Sequence, residues 1–252
     1  FGFAAGLRLN KSNVVLCIQS TFMQRAFDQI YHDISFMKLP ITIVCSRSGF
    51  GGYDSATHHS LLDISYLRAI PNLEIYYPLD TFDAMRILSK RINKKNDKPM
   101  FILHPYEPVI NEKVLKVNNF DYTYLVKNKS RNLILTLGNY KERALNIERK
   151  LNFKKKICDI IILKKIKPIS KNFIKEILKY KKIVTIEENY LNGGVGSLIL
   201  EELNKRQKTT KIKRFGIKDE FIMPGNSEET SILAGIHPNQ IIPKISSFFN
   251  EN

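Results

Sequence analysis

Short apolar runs alternate with helix-length amphipathic stretches along most of the chain, and that alternation constrains the fold more than any other feature. "NVVLCIQ" (13–19), "ITIVCS" (41–46), "LEIYYP" (73–78) and "PMFILHP" (99–105) are of strand length. Between them lie "STFMQRAFDQIYHDISFMK" (20–38), "HHSLLDISYLRAI" (58–70) and "DTFDAMRILSKRI" (80–92). Phe22, Ala26, Ile30 and Ile34 recur at helical spacing, so 20–38 is expected to be an amphipathic helix capped by Ser20 or Thr21. Pro40 and Pro71 stop two of the helices, and Asp80 is placed to cap the third. Strands joined by helix-length connections pair in parallel through right-handed crossovers.

A second series follows. Strands are expected over 132–138, 157–163, 182–188 and 211–217, and helices over 140–151, 170–179, 196–206, 227–236 and 238–249. Residues 109–130 break the pattern and read as an extended linker. The expectation is therefore two α/β domains, 1–127 and 128–252, each with a mostly parallel sheet.

With 252 residues and 43% hydrophobic content the chain can bury large cores, yet no apolar run is long enough to span a bilayer. The start, "FGFAAGLRLN", has neither a Met nor a signal-peptide pattern; it begins inside a helical pattern, as a cut chain would. Cys17, Cys45 and Cys158 are far apart and form no CxxC motif, so they are expected to be reduced and buried, in a reducing compartment such as the cytoplasm or an organelle stroma. No HExxH pattern exists, and no zinc site is expected. The net charge of +16 raises the question of nucleic acid. Residues 1–126 hold 14 Lys/Arg against 11 Asp/Glu, and 127–252 hold 26 against 13. The excess is scattered lysine without interleaved exposed aromatics, so neither nucleic-acid nor membrane binding is expected.

In parallel α/β sheets ligands sit at the carboxyl ends of strands. Three strands here end in polar residues: Gln19-Ser20-Thr21-Phe22, Ser46-Arg47-Ser48-Gly49 and His104-Pro105-Tyr106. The stretch "SGFGGYDSATHHSLLDI" lies between the second strand and its helix and reaches the same edge. Arg47 suits a phosphate or carboxylate, or else pairs with a surface acid. Asp54 with His58 suits hydroxyl contact and proton transfer; the alternative is a helix cap at Asp54 or Thr57 with both histidines exposed. Phe22 suits stacking on a flat heteroaromatic ring, or core packing. In "EENYLNGGVGS" (187–197) glycines precede a helix, but the motif is not GxGxxG and two acids precede it, so a structural turn at a subunit interface is expected rather than a nucleotide site.

These residues carry a resemblance. "STFMQRAFDQIYHDI" and "SRSGFGGYDSATHHSLLDISYLRAIPNLEIYYPLD" resemble the pyrimidine-binding domain of the transketolase family, near its deoxyxylulose-phosphate synthase branch. "VTIEENYLNGGVGSLILEEL" and "RFGIKDEFIMPGNSEETSILAGI" resemble that family's C-terminal domain, and the match is collinear to about residue 250. The resemblance implies thiamine diphosphate with Mg2+, a sugar phosphate or 2-oxo acid substrate, and a homodimer or an N-terminal diphosphate-binding partner. By position, Phe22 would stack on the cofactor's pyrimidine, with Gln19 and Arg25 near it. Asp54 and His58 would act on substrate hydroxyls and protons. Arg47, His59 and His104 would contact substrate, Arg47 by holding its phosphate.

The family's catalytic glutamate and its magnesium-diphosphate motif would lie upstream of Phe1, so the chain is expected to be a fragment or split subunit, inactive alone. Two departures bear on the substrate. Gln19 stands where the synthase branch has tyrosine, and Leu103 and Tyr106 stand at two arginine positions of that branch. They favour transfer of a two-carbon ketol unit between sugars over the synthase reaction with pyruvate and glyceraldehyde 3-phosphate. A non-catalytic partner subunit is the other alternative.

Overall fold

In the computed structural model, which describes residues 1–93, 98–106, 119–153 and 157–251, the first half opens with α1 (Gly2–Leu9). It builds a sheet from β1 (Val15–Gln19), β2 (Thr42–Ser46), β3 (Glu74–Tyr76) and β4 (Met100–Leu103). These pair in parallel in the order β1-β2-β4-β3. The register sets Gln19 beside Ser46 and Cys45 beside Leu103, so the polar ends of β1, β2 and β4 adjoin one another. The second half forms a sheet in the order β10-β9-β6-β7-β5 from β5 (Tyr122–Val126), β6 (Asn132–Thr136), β7 (Asp159–Leu163), β9 (Lys182–Tyr190) and β10 (Lys211–Ile217). Its pairs are parallel except β5 with β7. Two α/β layers with mostly parallel sheets are thus present, as expected.

Four local expectations are corrected. Residues 20–38 are not one α-helix: a 3-10 segment (Ser20–Ala26) leads into a single turn, α2 (Phe27–Gln29), and then a π-helical stretch (Ile30–Phe36). Ile30 and Ile34 are buried as their spacing predicts, but Phe22 is 43% exposed. The first turn is drawn tight because Ser20 Oγ donates to Asp63 and Thr21 Oγ1 donates to the Thr57 carbonyl. Second, the histidines precede the helix instead of starting it. Ala56–His58 is a 3-10 turn, Ser60 exchanges backbone hydrogen bonds with Gly49, and α3 begins only at Asp63 (Asp63–Ala69). Third, the expected linker contains β5, an edge strand of half-buried residues, while its residues 109–118 lie outside the described residues. Fourth, Cys17 is exposed because β1 is an edge strand; Cys45 and Cys158 are buried.

One strand was not expected: β8 (Lys165–Lys167) leaves the second half and pairs antiparallel with β3 of the first sheet. Ile166 is its buried residue. The residue before it, Lys164, is fully buried; its Nζ donates to Asp83 Oδ1 at 3.0 Å and to the Asn119 carbonyl. Asp83 lies on α4 (Thr81–Asn93) of the first half, whose start Asp80 caps by accepting from the Asp83 N–H at 2.7 Å. Burial pulls the Lys164 ammonium below the usual lysine range, and the Asp83 carboxylate opposes that pull. One apolar cluster spans both sheets, uniting Ile43, Phe101 and Leu103 with Leu133, Ile161 and Ile183.

Asp63 is the other buried fixed point, at 2% exposure. Its carboxylate accepts from Ser20 Oγ after β1, from Ser48 after β2, and from the Ile64 N–H of its own helix. Burial, only partly offset by these donors, pushes it up to about 6.

Asp83→Ala leaves a buried ammonium without its anion and is expected to cost about 3–5 kcal/mol in denaturant unfolding. Adding Lys164→Met should recover stability relative to that single variant; a double variant as weak as the single would show that the pair does not carry the cost. Asp63 binds its proton more tightly folded than unfolded, so its contribution is full below about pH 4 and is lost as pH rises through about 6. The fall amounts to roughly 3 kcal/mol. Asp63→Asn is expected to flatten that part of the melting-temperature profile, whereas a variant that falls as steeply as the parent would acquit Asp63.

Candidate active site

The three adjoining strand ends carry the expected residues to one edge. Phe22, just past β1, meets the His58 ring edge-on at 5.6 Å between centroids. His58 Nδ1 lies 2.7 Å from Ser55 Oγ, and Nε2 has no hydrogen-bond partner among the described residues. Ser55 Oγ also accepts from the Thr57 N–H, so Ser55, rather than Asp54 or Thr57, caps the 3-10 turn. The imidazole is thereby oriented through one nitrogen while the other stays available for proton transfer.

Arg47 and Asp54 are brought together as an ion pair, with their side chains 30% and 47% exposed. The guanidinium also lies over the Tyr106 ring, 4.5 Å from its centroid. Both readings of Arg47 therefore meet in one place: it has its surface acid, and it stands at the strand ends. His104 is exposed beside them; its backbone accepts from Ser48 and its Nδ1 lies 3.1 Å from the Pro105 carbonyl.

His59 has a different position. It is buried, its Nδ1 accepts from the Gly51 N–H at 2.8 Å, and its Nε2 lies 3.4 Å from the Met223 carbonyl. These partners require the neutral tautomer protonated at Nε2, and burial lowers its pKa from the usual imidazole value. It pins the loop to the second half, and so do two more contacts. Tyr53 donates to Glu229 at 3.0 Å, and the Gly225 N–H donates to the Gly52 carbonyl. On the inner side, Glu188 accepts from the Phe50 N–H and pairs with Arg143 at 2.9 Å.

Two groups beside β1 could hold a flat heteroaromatic ring. Phe22 offers a half-exposed aromatic face, and Gln19 Nε2 is buried without a hydrogen-bond partner, an amide donor left for an acceptor. Arg25 is exposed at the end of the same 3-10 segment. The glycine turn after β9 offers no comparable opening. Its Val195 and Gly196 N–H groups donate to the buried Glu187 carboxylate at 2.6 and 2.8 Å, which occupies the start of α7 (Val195–Asn204) as an anion would. Burial pushes that carboxylate up to about 7. The turn packs on α3 through Ser65 and Arg68, so it joins the two halves of the chain. Among the described residues no group of three or more His, Cys, Asp or Glu could hold a metal ion.

Asp63 and its two serines were missed as site residues. An acid inside the apolar stretch "LLDI" was the available signal.

Family models locate the chain. One for the transketolase pyrimidine binding domain matches residues 1–108, and one for the transketolase C-terminal domain matches 121–241. Two relatives are named 1-deoxy-D-xylulose-5-phosphate synthase. That of Pasteurella multocida is 34% identical over 93% of this chain and 37% of its own length. That of Halothermothrix orenii is 34% identical over 98% and 40%. The chain thus spans about two fifths of the curated relatives it matches. A structure described as a split gene transketolase, inactive beta4 tetramer, superposes with a TM-score of 0.83 at 23% identity, covering 98% of this chain and 79% of that one. Transketolase from Campylobacter jejuni gives 0.72 at 17% identity, over 92% and 35%. Together, the two matched domains and the parallel sheets that carry them make this chain a member of the transketolase family, whose enzymes depend on thiamine diphosphate.

Proposed function

We propose that the chain is the pyrimidine-binding and C-terminal part, divided near residue 128, of an enzyme that transfers a two-carbon ketol unit between sugars. The observation that carries this reading is the meeting of Phe22, His58, Asp54 and Arg47 at the joined carboxyl ends of β1 and β2. Thiamine diphosphate, when bound, supplies the carbon nucleophile that takes up the two-carbon unit. Phe22, Gln19 and Arg25 would hold its pyrimidine ring. His58 Nε2 gives and takes protons at the substrate's hydroxyl and carbonyl oxygens, while Ser55 fixes the ring. Asp54 accepts from substrate hydroxyls. Arg47 and His104 line the far end of the substrate site, and His59 serves by holding the loop. The diphosphate and Mg2+ would be bound by residues outside this chain, in a homodimer or with an N-terminal partner, so the chain alone would be inactive. A reducing compartment, cytoplasm or stroma, suits its free cysteines.

A second reading, condensation of pyruvate with glyceraldehyde 3-phosphate, is favoured by the name that the curated relatives share. Against it stand Leu103 and Tyr106, at two positions where the resemblance puts arginine in the synthase branch, and Gln19 where that branch has tyrosine.

The full-length enzyme, offered ketose donors and then pyruvate with that aldehyde, separates the two: release of carbon dioxide from pyruvate would sink the first. Failure of the complete enzyme to bind thiamine diphosphate would instead make this a non-catalytic subunit. His58→Ala in that enzyme is expected to lower kcat by about 10²–10⁴ while cofactor affinity, read by titration, stays within a few-fold. Equal loss of both would make His58 structural.

A further inference from the structure

The loop that carries Asp54 and His58 belongs to the first half, yet its base is held by the second. Phe50 and Leu61, at its two ends, are buried in the second half's apolar cluster with Ile134, Val184 and Ile186. The Tyr190 N–H donates to the Leu61 carbonyl at 2.8 Å. Beside them, the buried Glu188 carboxylate uses both oxygens: Oε2 accepts from the Phe50 N–H at 3.3 Å, and Oε1 accepts from Arg143 at 2.9 Å. A Cβ on Gly49 would come within 2.6 Å of that Oε2, and Gly49 has a φ of +90°, so the carboxylate fills space that only glycine leaves. One peptide further on, this hold reaches the histidines. The Gly51 N–H donates to His59 Nδ1, and a Cβ on Gly51 would meet the His58 carbonyl oxygen at 2.5 Å, so the Gly51 backbone lies against that of His58.

We propose that Glu188 is a positioning residue for His58: from the second half of the chain, its carboxylate fixes the Gly49–Gly51 turn on which the His58 backbone rests. This rests on the reading that His58 transfers protons at the strand ends. The position demands two acceptors, because the Phe50 N–H and Arg143 both donate. A carboxylate satisfies both. A carboxamide of the same shape has one oxygen and turns its own N–H toward one of the two donors. Misplacing a catalytic group by an ångström costs on the order of a hundredfold in rate.

The test uses the full-length, cofactor-loaded enzyme with two readouts. Amide hydrogen exchange, read by mass spectrometry, compares residues 49–60 with 195–204, and kcat and KM are measured with whichever donor the parent accepts. Glu188→Gln keeps the side chain's volume and is expected to speed exchange over 49–60 roughly tenfold or more, with less than about threefold change over 195–204. It should lower kcat by about ten- to a hundredfold with little change in KM. Adding Arg143→Met frees the amide oxygen for the Phe50 N–H and should restore both the protection of 49–60 and most of kcat, which guards against a fold defect in the single variant. Unchanged exchange over 49–60, unchanged kcat, or a double variant no better than the single would each overturn the proposal. Equal loosening of both segments would overturn it too, by making Glu188 a general support of the second half. A parent that accepts only pyruvate, with the expected shifts, would leave Glu188 in its role and remove the ketol-transfer reading instead.

Discussion

The Asp63 carboxylate is buried with no cation beside it among the described residues, and the geometry of the candidate site depends on it. Its donors are hydroxyls and a backbone amide, which stabilise a charge less well than an ion pair would. The compensation is positional: one carboxylate fixes the turn after β1, the turn after β2 and the start of α3. Because Phe22 follows Ser20 by two residues and Arg47 precedes Ser48, the spacing between the ring and the cation is set through that one group. Tyr77 extends the arrangement, donating at 3.4 Å to the Ser48 carbonyl.

Much of this was legible in the residues. Apolar runs such as "ITIVCS" and "DIIIL" can hardly be anything but buried strands, and parallel pairing then forces their polar tails to one edge. Phe22 and Arg47 were placed at that edge because they sit on those tails, and Asp54 and His58 because their loop follows the second strand. What escaped was set by tertiary contact. Phe22 fits an apolar helical stripe in sequence, yet hydrogen bonds from Ser20 and Thr21 turn it outward. "KIK" looks like a polar connection, yet Ile166 and the buried Lys164 make it part of a strand pairing between the halves. His58 and His59 are equivalent in sequence; only the folded loop separates a ring with a free nitrogen from one consumed by Gly51 and Met223.

The two halves are joined by more than their connecting segment. β8 crosses into the first sheet, Lys164 binds Asp83 across the boundary, and the apolar cluster is shared. Any hinge opening between them would have to break a strand pairing and expose an ammonium deprived of its anion.

The tip of the loop around Tyr53 rests on Glu229, Asn226 and Gly225, and Asn226 caps α8 (Ser227–Leu233) together with Glu229. The same carboxylate thus starts a helix in one half and anchors the glycine-rich loop of the other. A substitution at Glu229 or Asn226 therefore changes the loop as well as the helix. A chimera that joins residues 1–108 to the C-terminal domain of a distant relative would keep every residue of the candidate site and lose the latch that shapes it.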